Sequence, residues 1–102
     1  MLTHIVVWKY LTEATQEARA EHIRRLNALP PLIPEIESFS AGFDTLNLPR
    51  SYHTGLVALF RDRAALDAYT VHPEHVKVAE IGRSISEHVV SVDFETPSVE
   101  KD

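Results

Sequence analysis

Four stretches of the chain carry the alternating or continuous apolar patterns that are typical of β-strands. They cover residues 3–10, 36–43, 52–60 and 88–95. In the first stretch, one face carries His4, Val6 and Trp8. The other face carries Ile5 and Val7, so both faces are largely apolar and we expect this strand to be covered on both sides.

Between the strands, apolar residues recur every three to four positions, which is the spacing of helices with one buried face. The predicted helices run from residue 12 to about 29, from 63 to 71, and from 73 to about 86. Thr12 and Thr15 are both suitable N-caps for the first helix, and Asp62 is suitable for the second. Pro73 suits the first turn of the third helix, where its missing N–H is not needed.

The order β-α-β-β-α-β predicts an α+β, ferredoxin-like protomer with a four-stranded antiparallel sheet and its helices on one face. Helices on one face alone would leave Ile5 and Val7 in water. We therefore expect a homodimer in which two sheets pack open face to open face. The pattern supports one domain over residues 1–97, followed by a flexible tail of residues 98–102.

Composition narrows the classes of partner. The chain has 102 residues and a formal charge of −5, which argues against nucleic acid or an anionic membrane surface as partner. It has no cysteine, which excludes disulfides and thiolate chemistry. No apolar run reaches the length of a membrane span, and the first residues lack a signal-peptide pattern. We expect a cytoplasmic protein.

The segment from Asp67 to His75 holds the most concentrated chemistry, because it places a phenol and two imidazoles around Pro73. Helical counting puts Tyr69 on the inner face of the second helix, and His75 on the inner stripe of the third. The same counting leaves Arg83, with the other charged residues of the third helix, mostly outside. His72 precedes the proline and is predicted to cap or hinge the third helix.

If the face of the first strand that bears His4 lies under the helices, then His4, Tyr69 and His75 converge on one cleft. His75 would then be a general base that deprotonates a carbon next to a carbonyl, and Tyr69 would donate a hydrogen bond to the developing oxyanion. The alternative is structural: His75 caps a helix or bonds to a backbone carbonyl, and Tyr69 packs with its hydroxyl satisfied.

The remaining histidines divide between core, surface and metal-binding interpretations. His22 is either a rim residue of the same cleft or a histidine at the edge of the core. His53 and His88 begin strands, where solvent exposure is expected. His72 and His75 have a spacing that suits a metal, but no third ligand is evident nearby. There is no glycine-rich phosphate loop either, so no cofactor or metal is predicted.

From about residue 3 to residue 97, the chain resembles the stress-responsive dimeric A/B-barrel (Dabb) family. The most specific shared pattern is Tyr-x-x-His-Pro-x-His, here Tyr69 to His75. Other matching pieces are Thr3 to Lys9, Leu29 to Pro34, Phe39, Gly42-Phe43-Asp44, Leu66 to Val76 and Val92-Asp93-Phe94.

The resemblance implies a ferredoxin-like protomer and a dimeric α+β barrel. It does not imply one activity, because some members are stress-associated proteins with no known reaction. One plant branch cyclises a linear polyketide by an aldol condensation without a cofactor. Its working pair resembles Tyr69 and His75, and a histidine matching His4 lies in its pocket. His22 stands where that branch has pocket-lining aromatic residues, which argues against the same long-chain substrate.

Three hypotheses follow. In the first, the cleft of a homodimeric A/B-barrel protein binds a small, partly apolar carbonyl compound. Its polar anchors are Tyr69 and His75, and its walls are formed by His4, His22, Trp8 and Val6. The second is a cofactor-free cyclase or isomerase with His75 as base and Tyr69 as oxyanion donor. The third is a non-catalytic, stress-protective oligomer that acts through its surface.

Overall fold

The computed structural model describes residues 1–97, so the predicted tail of residues 98–102 lies outside the described residues. The elements are β1 (Leu2–Tyr10), α1 (Gln16–Asn27), a short 3₁₀ helix (Pro30–Leu32), β2 (Ile36–Phe43), β3 (Thr54–Phe60), α2 (Arg63–Val71), α3 (Pro73–Ser84) and β4 (Ser86–Glu95). The strands form one antiparallel sheet in the order β2-β3-β1-β4. The predicted ferredoxin-like βαββαβ fold is confirmed.

Side-chain caps set most of the helix boundaries. Helix α1 begins later than predicted because Thr15, not Thr12, is its cap; the Thr15 hydroxyl accepts a hydrogen bond from the Ala18 N–H at 3.0 Å. The predicted cap at Asp62 is confirmed by its bond from the Ala65 N–H at 2.9 Å. Strand β4 begins two residues before the predicted start, since its pairing with β1 extends to Ser86.

The helices cover one face of the sheet and enclose the core. Large buried side chains come from both layers: Leu2, Trp8, Tyr10, Leu56 and Phe60 from the sheet, and Leu26, Leu66, Tyr69 and Val78 from the helices. The face of β1 that bears His4, Val6 and Trp8 is therefore the covered one.

The opposite face of the sheet is apolar and uncovered within one chain. In register, Ile5 lies between Val57 of β3 and Val92 of β4. Val57, Val90, Val92 and Phe94 are 43 to 53% exposed. The prediction that β1 is covered on both sides therefore fails within a single protomer, and it requires a second chain. No helix of residues 1–97 is both long and apolar enough to cross a membrane.

His53 departs from the exposure expected of it. It is half-buried, its ring stacks on Tyr10 with a centroid separation of 5.7 Å, and its Nδ1 accepts a hydrogen bond from the Tyr10 N–H at 2.9 Å. The β1–β3 ladder ends at the pair Trp8 and Thr54, so the Tyr10 N–H has no strand partner there. The imidazole takes the place of the missing carbonyl. His88 is exposed, as predicted.

Candidate functional site

A cleft of about 250 Å³ lies between the helices and the sheet. Its lining comes from all layers of the fold: His4, Val6, Trp8, Leu26, Leu56, Tyr69, His75, Ala79, Arg83, Val89, Val90 and Ser91. Five of the six site residues predicted from the sequence are in this set, and His22 is the exception. Most of the wall is apolar, with a few polar groups among it, which is the usual composition of a small-molecule site.

The junction between α2 and α3 brings Tyr69 and His75 together. The backbone of His72 is extended, at φ −63° and ψ 132°, as expected of a residue before proline. Its Nδ1 accepts a hydrogen bond from the Glu74 N–H at 3.1 Å, so the predicted capping role is confirmed. The turn packs the rings of Tyr69 and His75 with centroids 4.2 Å apart.

The hydrogen bond of His75 fixes the position of its proton. Its Nδ1 lies 3.0 Å from the backbone carbonyl oxygen of Thr70. Because a carbonyl oxygen only accepts, Nδ1 carries the proton and the neutral ring keeps a lone pair on Nε2. Part of the structural interpretation is therefore correct, since His75 does bond to a backbone carbonyl. That same bond leaves Nε2 available as a base.

Burial is the main cause that lowers the pKa of His75. The hydrogen bond to Thr70 opposes this effect, and the positive charges of His4, His72 and Arg83 lower the pKa further. The imidazole is therefore neutral at pH 7, which is the state that a general base requires.

Tyr69 is only 2% exposed, and burial raises the pKa of its hydroxyl above the usual value. The phenol therefore keeps its proton at neutral pH. Its ring packs against Phe60 and His4, with centroids 4.9 and 5.9 Å away. Within residues 1–97, the Tyr69 hydroxyl makes no hydrogen bond, so its proton is available to a ligand.

His4 is oriented by a carboxylate on the neighbouring strand. Asp93 stands opposite His4 in the β1–β4 register, and its carboxylate accepts a hydrogen bond from His4 Nδ1. The bond holds the imidazole edge-on to Tyr69.

His22 is a core residue, which corrects its assignment to the wall of the cleft. It is fully buried, and its Nδ1 is 2.7 Å from the hydroxyl of Tyr10. The Trp8 ring packs edge-on against it, at 4.9 Å between centroids, and is itself in the cleft lining. Burial lowers the pKa of His22 to about 4. Of its two interpretations, the core position agrees with the structure, but His22 is not fully satisfied there, because its Nε2 is buried without a hydrogen-bond partner in the described chain.

Arg83 and Ser91 line the cleft although sequence reasoning did not select them. Arg83 is exposed, as predicted, but its position two helical turns beyond His75 on α3 places it on the same side. The spacing i, i+4, i+8 was the signal that could have found it. In the described part of the chain, no group of three or more His, Asp or Glu side chains could hold a metal ion.

The family model of the stress responsive A/B barrel domain matches residues 2–96 of the chain. A dimeric ferredoxin-like protein of unknown function from Thermobifida fusca is 25% identical, with a TM-score of 0.86 over 93% of this chain and 90% of its own. A second dimeric ferredoxin-like protein of unknown function, from Jannaschia, is 29% identical, with a TM-score of 0.79 over 93% and 98%.

A hydroxynitrile lyase from Passiflora edulis shares the fold at 16% identity, with a TM-score of 0.84 over 98% of this chain and 96% of its own. No functionally curated sequence matches the chain.

Proposed function

The chain belongs to the stress responsive A/B barrel domain family, and we propose that it is a homodimeric protein whose cleft binds a small, partly apolar molecule. One observation carries this proposal: Tyr69 and His75 both line an open cleft, and neither is hydrogen-bonded to the other. Buried polar groups are normally satisfied inside a protein, so groups left free in an apolar cleft favour a ligand. A cytoplasmic location belongs to the same proposal.

The apolar open face of the sheet supports the homodimer. Its exposed valines and Phe94 flank Ile5 and Val7, and a patch of this kind is stabilised when it packs against a second copy. Two of the similar solved structures are of dimeric proteins. Together the two sheets would form the α+β barrel.

The dimer is tested by light scattering of the wild type and of Val92→Glu. We expect twice the protomer mass for the wild type and dissociation for the variant, because the carboxylate would be buried without a partner. Val71→Glu is the matched control, since Val71 is 73% exposed on α2, away from this face. A monomeric wild type would contradict the proposal.

Catalysis is the second candidate function, and the bond between His75 and Thr70 favours it. With Nδ1 held by the carbonyl, Nε2 of His75 would take a proton from a carbon next to the substrate carbonyl. The Tyr69 hydroxyl would donate to the enolate oxygen as its charge develops. The enolate would then attack a second carbonyl in a cyclisation, or take the proton back at another carbon in an isomerisation.

The acid–base step needs no cofactor, since the imidazole and phenol supply both groups. The lyase from Passiflora edulis supports this candidate only by analogy of fold, because it is an enzyme built on the same fold.

The test is the turnover of linear β-polyketones by the wild type, His75→Ala and His88→Ala. His88 is an exposed histidine on β4 and serves as the matched control. Loss of a general base lowers the rate by about 10²- to 10⁴-fold, and we expect this loss for His75→Ala alone. Equal rates for all three proteins would remove His75 as base. Binding without turnover would favour a carrier, and neither binding nor turnover would favour the stress-protective oligomer.

A further inference from the structure

The charge of the cleft differs in sign from the charge of the chain. The protein carries a formal charge of −5, yet no Asp or Glu is among the described residues that line the cleft. Arg83 is the one permanently charged side chain in that lining. A cationic group in an apolar cleft of an acidic protein points to an anionic group on the ligand.

Arg83 also lacks the partners that other arginines have. Within residues 1–97, no carboxylate oxygen lies within 4.0 Å of its guanidinium, whereas Arg24, Arg25, Arg61 and Arg63 each have one. Its five N–H donors are therefore not engaged by an acidic residue of the described chain. In contrast to those four, its charge is available to a ligand.

The geometry of α3 places Arg83 on the side of the helix that carries His75. His75, Ala79 and Arg83 form one row along the helix at i, i+4 and i+8, and all three line the cleft. Side chains in a helix lean towards its N-terminus, so Arg83 leans over Ala79 towards His75. The two Cα atoms are separated by about 12 Å of helix rise, and the methyl group of Ala79 leaves the space between them open.

The electrostatic effect of Arg83 reaches His75, because its charge is one of those that lower the pKa of that imidazole. Ser91 adds a hydroxyl to the same lining, from the position on β4 that pairs with Val6. Donors are therefore present along the cleft: Tyr69 beside His4, Ser91 opposite Val6, and Arg83 two helical turns beyond His75.

We propose that the cleft takes a small carbonyl compound that also carries a carboxylate, with the carboxylate on Arg83 and the carbonyl between Tyr69 and His75. The inference rests on the proposed ligand-binding function. One guanidinium matches one carboxylate in charge, and its planar fork matches a carboxylate in shape. The volume of about 250 Å³ is below the range of about 300–1,000 Å³ typical of drug-sized ligands, so the substrate is short.

The test compares a keto acid with its neutral ester. Benzoylpropionate and its methyl ester are titrated into wild type, Arg83→Gln and Arg24→Gln, and binding is followed through the NMR signals of Tyr69, His75 and Ser91. Arg24→Gln is the matched control, because it removes the same charge from an exposed site on α1. We expect the wild type to bind the acid about tenfold more tightly than the ester. Arg83→Gln should lose that preference, while Arg24→Gln should keep it.

Two results would overturn the proposal, and they are distinguishable from failure of the proposed function. If acid and ester bind the wild-type cleft equally, or if Arg83→Gln keeps the preference, the carboxylate site is wrong but the cleft still binds a ligand. If neither compound shifts the signals of the cleft in any protein, ligand binding in the cleft fails and the carboxylate site fails with it.

Discussion

Two tyrosine–histidine pairs under the helices, Tyr10 with His22 and Tyr69 with His75, are opposites in hydrogen bonding. Tyr10 and His22 are sealed in the core, where the phenol bonds to His22 Nδ1 at 2.7 Å and accepts a hydrogen bond from the Thr54 hydroxyl at 2.8 Å. Tyr69 and His75 are closer as rings, at 4.2 Å between centroids against 5.7 Å for the core pair, but they line the cleft without a bond between them.

The difference shows that residue type does not decide the role of such a pair. In the core pair, the phenol and His22 Nδ1 are hydrogen-bonded to each other, while His22 Nε2 is buried without a hydrogen-bond partner in the described chain. The bonded groups contribute to stability and specificity of packing. In the cleft pair, a backbone carbonyl orients the imidazole and the phenol keeps a free proton. The hydrogen-bond partners of the two side chains, more than the depth of their burial, distinguish a structural pair from one that is available for chemistry.

The largest expected difference is in stability when each phenol loses its hydroxyl. Tyr10→Phe leaves Thr54 and His22 Nδ1 buried without a partner, and each such group costs about 1–3 kcal/mol. We expect the free energy of unfolding to fall by about 2–6 kcal/mol. Tyr69→Phe removes no hydrogen bond within the described chain and should change it by less than about 0.5 kcal/mol.

Urea unfolding at one protein concentration measures both variants, since a dimer's stability depends on concentration. Equal losses for the two variants would contradict the division into a structural and a functional pair.

The second difference concerns the dependence of folding stability on acidic pH. Burial holds the pKa of His22 at about 4, against 6.5 for an ordinary histidine. The unfolded chain therefore binds the additional proton between these pH values, and stability falls as the pH falls. The loss of folding stability begins below pH 6.5 and is complete near pH 4. One pKa unit corresponds to about 1.4 kcal/mol, so the total loss is about 3 kcal/mol.

The measurement is the free energy of unfolding of wild type, His22→Phe and His88→Gln at pH 7.5 and at pH 5. We expect His22→Phe to reduce the pH dependence, whatever its own cost in stability, because it removes the group that resists protonation. His88 is exposed, so His88→Gln should keep the wild-type dependence. Burial also lowers the pKa of His75, so a smaller dependence should remain, but a dependence of undiminished size in His22→Phe would place its origin elsewhere.

The third difference concerns space around the core pair. A Cβ atom on Gly82 would lie 2.6 Å from His22 Nε2 and 3.0 Å from Trp8 Nε1, so Gly82→Ala forces these rings to move. Overpacking costs about 1–3 kcal/mol, and the better helix propensity of alanine returns about 1 kcal/mol. We expect a net loss of up to about 2 kcal/mol by urea unfolding.

Gly42→Ala is the control, because a Cβ there has no atom within 4 Å. A Gly82→Ala protein that is more stable than wild type would show that the side chains around His22 can rearrange to accommodate the added methyl group.

Local periodicity explains how much of this arrangement was predictable from the sequence. Helical counting placed Tyr69 and His75 inward, alternation placed His4 on the covered face of β1, and Pro73 defined the joint between two helices. These inferences succeeded because each depends on neighbours within one element or one turn. The fold followed from the same local signals, combined with the order of the elements.

Contacts between distant elements were not predictable in this way. His22 shares a stripe with Leu26, but only the packing of α1 against Trp8 and Gly82 decides that it is sealed in the core. His53 bonds to the backbone of a residue 43 positions earlier in the chain, for which the sequence has no local signal. Arg83 was grouped with the other charged residues of α3 as outer, although the row that begins at His75 and continues at i+4 and i+8 passes through it.

The last difference between the two pairs is the position of one proton on each imidazole. His75 donates from Nδ1 to the Thr70 carbonyl, so its neutral ring is protonated on Nδ1. In the core pair, the phenol oxygen of Tyr10 already accepts from Thr54, so we predict that its own proton is donated to His22 Nδ1. The His22 proton would then lie on Nε2, which is buried without a hydrogen-bond partner in the described chain. Long-range ¹H–¹⁵N correlation spectra at neutral pH should therefore show opposite tautomers for the two histidines. Tyr10→Phe should remove the preference at His22 and leave that of His75 unchanged. If His75 were protonated on Nε2 instead, it would have no lone pair for a substrate, and the acid–base function would fail even with the cleft intact.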